Sequence, residues 1–168
     1  DCTRAVVVGD VHGCCDELRD LLAKHRRPGD TVILAGDLVN KGPKSVEVVQ
    51  LARASSFLAV VGNHELASLG GRADRQGGAQ PMKAAKYAWT DGLLDDDVEY
   101  VRRLPLTISL PRLGAVVVHA GLVPGVELPS QDAVAMVAMR DVKWTNDAFA
   151  PLEKVGEGSV AWATAWSG

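Results

Sequence analysis

Four apolar runs of this chain end on a glycine or histidine that introduces a metal-capable side chain: AVVVGDVHG (5–13), VILAGDLVNKG (32–42), LAVVGNHE (58–65) and AVVVHAG (115–121). They carry Asp10, His12, Asp37, Asn63 and His119, each just past a predicted strand, where open α/β sheets hold their sites. Carboxylate and amide oxygens suit hard cations and imidazole suits borderline ones, so the mixed set fits manganese, iron or zinc. Asp37, expected in an exposed loop, is the natural bridge between two ions; Asp10 and His12, at i and i+2, can serve one, and Asn63 with His119 the other. Two bridged ions lower the pKa of a bound water and aim it at phosphorus. A single Gly-Asp pair is an ordinary turn, but a whole set at equivalent strand ends is a signature of phosphoester chemistry.

The elements that must position these residues follow from periodicity. In CDELRDLLAKHRR, Leu18, Leu21, Leu22 and His25 form the stripe of an amphipathic helix that Asp16 can cap and Pro28-Gly29 ends. TVILA is a strand, PKSVEVVQLARA is a helix burying Ser45, Val48, Val49 and Ala52, and FLAVV is the third strand. This β-α-β-α-β order implies parallel strands with right-handed crossovers. The glycine-rich segment from Gly70 to Gln80 reads as a mobile loop near the site. Helices are expected at Met82–Trp89 and Leu93–Arg103, the second with an acidic start and a basic end, and LTISL and AVVVH flank a hairpin-like turn. Beyond residue 120 the pattern is less legible, and Val160, Trp162, Ala163 and Trp166 read as an element in need of a partner.

The chain has 168 residues, 47% hydrophobic and 23% charged, which predicts one domain with a sizeable core. A formal charge of −3 gives no global attraction for nucleic acid or anionic membrane, so a polyanionic substrate must be held by local cations and metal. No apolar stretch is long enough to span a membrane and no leader is evident, so a cytoplasmic location without membrane partners is expected. Cys2, Cys14 and Cys15 show no CxxC spacing and read as small packing side chains.

GDVHG, GDLVNKG and GNHE followed by HAG resemble the phosphoprotein-phosphatase branch of the calcineurin-like metallophosphoesterases. GDLVNKGP, the Met139-Arg140 pair and the WATAWSG ending are similar to the ApaH-like phosphatases, relatives of bacterial diadenosine tetraphosphatase. The resemblance implies an α/β fold of four layers, α-β-β-α, and two divalent ions, manganese first with iron, zinc or cobalt as alternatives. By motif position Asp10 and His12 hold the first ion, Asp37 bridges, and Asn63 and His119 hold the second. His64 becomes the general acid, and Lys41 and Arg140 grip phosphate.

Two departures from the branch matter. Its protein phosphatases carry Asp-Arg where this chain has Asn40-Lys41. A neutral Asn40 can hydrogen-bond His64 but cannot stabilise an imidazolium, which suits an easy leaving group such as a terminal phosphate. The branch also supplies a further metal-binding histidine from a Gly-His turn, and no histidine follows His119. Residues 1–168 are therefore expected to be the N-terminal part of one catalytic domain, with that turn lying beyond Gly168. The expected activity is metal-dependent hydrolysis of nucleotide-type phosphoanhydrides or phosphoesters, with dinucleoside polyphosphates or capped RNA ends as substrates. A Ser/Thr protein phosphatase, acting on phosphoprotein, and a phospho-ligand-binding pseudoenzyme are the alternatives.

Overall fold

The computed structural model describes residues 4–78 and 85–166, which fall into two compact units, residues 1–117 and 118–168. In the first unit, the segments AVVV and TVIL form β1 (Ala5–Val8) and β2 (Thr31–Leu34), as β-branched side chains favour a pleated surface, and the two-residue β3 (Leu58–Ala59) joins them. They make a parallel sheet in the order β1-β2-β3, with Val6 opposite Val32 and Ile33 opposite Leu58. Helix α1 (Cys15–His25) joins β1 to β2, and α2 (Ser45–Ala54) joins β2 to β3. Leu18 and Leu22 of α1 and Val48, Val49 and Ala52 of α2 bury against Val32, Leu34 and Ala59 in one core. Each fully buried valine or leucine there contributes about 2 kcal/mol.

The β-α-β-α-β order with parallel strands expected from the sequence is the one observed, with local corrections. Leu21 stays 38% exposed, so the buried stripe of α1 is narrower than the periodicity suggests. Asp16 does not cap α1; Cys14 occupies that position, and Asp16 sits in the first turn with its carboxylate 2.5 Å from Lys44 Nζ. The larger correction concerns Gly70–Gln80. Helix α3 (Asn63–Gln76) runs through Gly70 and Gly71. Gly71 is tolerated because the helix backbone passes so close to the Tyr87 ring that a Cβ would strike it. A glycine read as a loop signal is here a packing device.

After α3 come a 3-10 turn (Ala88–Gly92) and α4 (Asp95–Arg102), whose first turn holds Asp95, Asp96 and Asp97. Asp97 is fully buried, accepting from Arg53 Nε at 2.8 Å and from Leu94 N at 3.1 Å. β4 (Thr107–Leu110) pairs with β5 (Ala115–Val118) across a short 3-10 turn, as the hairpin pattern predicts. Cys2, Gln80, residues 82–84 of the helix expected from Met82, and the final Ser167 and Gly168 lie outside the described residues.

The second unit contains α5 (Ala133–Ala138), capped by Asp132 Oδ1 accepting from Ala135 N at 2.8 Å, and a three-stranded antiparallel sheet. The sheet runs β7 (Ala148–Leu152), β6 (Asp141–Thr145), β8 (Val160–Ala161), and α6 (Trp162–Ala165) follows. Asn146 (φ 48°) and Asp147 (φ 63°) form the two-residue turn between β6 and β7, the double left-handed geometry that matches strand twist. The partner that the C-terminal segment needs is this small sheet: Val160 pairs with Val142, and Trp162 packs on the core of Val123, Ala135, Met139 and Val142. Among the described residues no helix is long and apolar enough to cross a membrane.

Candidate metal centre and active site

The loops after β1 and β2 are stitched together by main-chain bonds. Val11 and His12 N–H donate to Asp37 O at 3.1 and 2.9 Å, and Gly13 N–H donates to Leu38 O at 2.8 Å. Four side-chain-bearing residues of these loops hold positive φ: His12 at 46°, Asp37 at 51°, Asn40 at 67° and Lys41 at 66°. Each such conformation costs about 1–3 kcal/mol and persists only where the surroundings impose it. At Asp37 a carboxylate helps to impose it. Glu65, fully buried on α3, accepts from the N–H groups of Asp37 (2.8 Å), Leu38 (2.8 Å), Val39 (3.3 Å) and Gly62 (2.8 Å). Burial pushes the Glu65 carboxyl up, while the donors of Gly62, Asp37 and Leu38 push back. Gly62 lies so close to Asp37 and Glu65 that a Cβ would collide with both.

Within this frame His12 presents one nitrogen to a carbonyl and the other to acids. Its Nδ1 is 3.0 Å from Val39 O, an acceptor only, so Nδ1 carries the proton and Nε2 a lone pair. That Nε2 lies 3.2 Å from Asp10 Oδ2, 3.6 Å from Asp37 Oδ2 and 2.7 Å from Lys41 Nζ. A lone pair and two carboxylates converging on one region form a donor set that fits a divalent cation, and the carbonyl behind the ring is the usual orienting contact of a ligating histidine. The Lys41 ammonium already takes up part of that negative potential. Asp37 is only 4% exposed, so the bridge candidate is buried and not on an exposed loop as its sequence position suggests. Its burial follows from the bonds that Glu65 and the β1 loop make to its backbone.

His64, on the first turn of α3, faces the same aspartate. Its N–H donates to Asp37 Oδ1 at 3.0 Å, and its Nε2 is 3.9 Å from Asp37 Oδ2. Donor atoms of His12, Asp37 and His64 lie within 4.8 Å of one another, and the two imidazoles meet edge to face with centroids 4.8 Å apart. On the far side of His64 stands Asn40. The Trp89 indole N–H, which can only donate, binds Asn40 Oδ1 at 2.9 Å, and this orients the amide. Asn40 Nδ2 therefore donates to His64 Nδ1 (3.1 Å) and to Ser68 Oγ (2.9 Å), and the Ser68 hydroxyl donates to His64 O at 2.7 Å. His64 is left neutral with its proton on Nε2. Burial pushes its imidazole below the usual range, and against the pull of Asp37, His12, Lys41 and Lys86 push it further down.

The structure thus brings Asp10, His12, Asp37, Asn40, Lys41 and His64 together in the first unit. Asn63 is exposed at the first position of α3. His119 follows β5, and Arg140, exposed, precedes β6; both belong to the second unit. There the Arg140 main chain is held at both sides, its N–H donating to Leu152 O and its C=O accepting from Trp162 N.

The sequence profile described as calcineurin-like phosphoesterase matches residues 3–160. The chain belongs to this family. It is 34% identical over 137 residues to the symmetrical bis(5'-nucleosyl)-tetraphosphatase of Nitrosococcus oceani, covering 76% of this chain and 47% of the relative. It is 36% identical over 141 residues to the enzyme of the same name from Pectobacterium atrosepticum, covering 82% of this chain and 48% of the relative. A crystal structure assigned to a diadenosine tetraphosphatase superposes with a TM-score of 0.84 at 30% identity, covering 98% of this chain and 71% of that one. The chain spans about half the length of the curated relatives it matches.

Three site residues of this calcineurin-like phosphoesterase were not expected from its sequence. Glu65 stands inside the GNHE motif, and its signal was an acid three residues after a glycine at a helix start, which is capping-box spacing. Ser68 lies one turn from His64, a recognisable helical neighbour. Trp89 is 49 residues from Asn40 in sequence, and nothing local announces their hydrogen bond.

Proposed function

We propose that this chain is a catalytic part of a divalent-metal-dependent hydrolase that cleaves phosphoanhydride bonds in nucleoside polyphosphates, dinucleoside polyphosphates foremost and capped RNA ends second. The observation that carries the reading is the neutral amide of Asn40 set against His64 beside the His12–Asp37 cluster. Asp10, His12 and Asp37 would hold the metal, manganese by preference, with Asn63 and His119 kept as ligands on their motifs alone; when bound it supplies an activated water and neutralises phosphate charge. His64, with Nε2 protonated and an amide in place of a carboxylate behind Nδ1, is a weak proton donor. A phosphate leaving group needs little protonation, an alkoxide needs much, so the donor matches an anhydride. Lys41 steadies the negative charge that develops on the transferred phosphoryl group, and Arg140 is assigned the same task by motif.

The relatives named as symmetrical bis(5'-nucleosyl)-tetraphosphatases support this substrate class. The test is a metal-titrated activity screen with a dinucleoside tetraphosphate, a cap analogue and a phosphopeptide, with bound metal measured in parallel. Manganese-dependent cleavage of the dinucleotide, faster than that of the phosphopeptide, is expected. Preference for the phosphopeptide would reject the reading.

A further inference from the structure

A cavity of about 460 Å³ opens beside His64, on the side where Asn40 and Lys41 stand. This is within the range of small-molecule sites, about 300–1,000 Å³. One part of its wall is apolar and aromatic, made by Trp89, Pro43 and Val46; another carries the ammonium groups of Lys41 and Lys86. Lys86 is exposed on the stretch leading to Trp89, its Nζ 5.4 Å from the Tyr87 ring centroid, and its charge reaches His64.

We propose that this cavity receives the leaving half of the substrate, a nucleoside di- or triphosphate, with Lys86 on its phosphates and the Trp89, Pro43 and Val46 wall against its nucleoside. The inference rests on the anhydride reading above and adds where the departing group goes. In the cleavage, water oxygen bonds to one phosphorus, the bridging P–O bond breaks with its electron pair on the departing oxygen, and that phosphate oxygen leaves as an anion to which His64 Nε2–H donates a hydrogen bond. The attacking water releases one proton to solvent, which balances the step. The leaving group must therefore lie on the His64 side of the reacting phosphorus, which is the side the cavity occupies. A phosphomonoester with an uncharged leaving group would leave Lys86 without a partner; a nucleoside polyphosphate provides one. Glu47 also lines the cavity; its carboxylate repels phosphate and accepts from a base's amino groups, which directs the phosphates to the lysines.

The test is calorimetric titration of the chain without added metal, using ADP and inorganic phosphate as probes, on wild type, Lys86→Ala and Lys86→Glu. Lys86 is exposed, so both variants should melt as wild type does. Lys86→Ala should weaken ADP binding about fivefold, the value of one exposed ion pair, and Lys86→Glu should weaken it further, with phosphate affinity unmoved. Failure of ADP to bind wild type, or equal affinity in all three proteins, would overturn the proposal. Parallel losses for ADP and phosphate would also overturn it, by placing Lys86 at the transferred phosphoryl group. Turnover separates this failure from failure of the anhydride reading. A chain that binds ADP through Lys86 yet prefers a phosphopeptide rejects the activity and keeps the pocket. One that cleaves a dinucleoside tetraphosphate equally well as Lys86→Ala rejects the pocket alone.

Discussion

The loop after β1 and the first turn of α3 each present an imidazole to Asp37, and the two rings touch, yet their nitrogens are set in opposite ways. His12 has a carbonyl behind Nδ1, so its proton is held there and Nε2 offers a lone pair. His64 has an amide N–H donor behind Nδ1, so Nε2 keeps the proton. One presents a lone pair and the other an N–H to the space beside Asp37. The side chain and the shared aspartate are the same in both; what differs is the group that each Nδ1 meets, a main-chain acceptor in one case and an oriented side-chain donor in the other.

The largest expected effect removes what the two histidines share. Asp37→Asn keeps the shape and leaves an oxygen for the His64 N–H, but withdraws the carboxylate charge from both rings. Metal content should fall and turnover of a dinucleoside tetraphosphate should drop about a hundredfold or more, with thermal melting changed little. Retained activity would exclude Asp37 as a metal bridge.

Asn40→Asp should make the two histidines alike. A carboxylate behind His64 would accept from Nδ1–H, as Val39 O does from His12, and would stabilise the imidazolium form. The ratio of kcat/KM for a phosphopeptide to that for a dinucleoside tetraphosphate should rise about tenfold, because the poorer leaving group gains more from a populated imidazolium donor. An unchanged ratio would mean that selectivity resides elsewhere, with the cavity beside His64 as the next candidate.

Trp89→Phe tests the comparison most finely. It keeps an aromatic ring but removes the donor that orients the Asn40 amide, at a stability cost of about 1 kcal/mol. The amide is then able to turn and accept from Nδ1. Nitrogen NMR of the metal-free chain should show His12 protonated at Nδ1 in both proteins. His64 should be protonated at Nε2 in wild type and mixed in the variant. An unmixed His64 in Trp89→Phe would show that Ser68 alone orients the amide.

Much of this site was legible before any fold was known, because metal and phosphate chemistry confines the useful residue types and strand ends confine their positions. Asp10, His12 and Asp37 converge as their motifs suggest, and Asn40 bonds His64 as its position in the β2 loop implies. The α2 face of Ser45, Val48, Val49 and Ala52 is buried as its period predicts. Gly70 and Gly71 misled because their composition signals flexibility, whereas Gly71 serves a helix packed on Tyr87. Asp37 misled because a polar residue in a turn reads as exposed.

By itself the sequence determined the parallel strand-and-helix order, the set of metal-capable residues and the family, since these depend on local periodicity and on motifs a few residues long. Only the tertiary structure decided which nitrogen of each histidine carries its proton. That choice rests on Val39 O, 27 residues from His12, and on Trp89, 49 residues from the Asn40 that it orients. Hydrogen-bond direction is set by the partner a folded chain delivers, and no local pattern in the sequence encodes it.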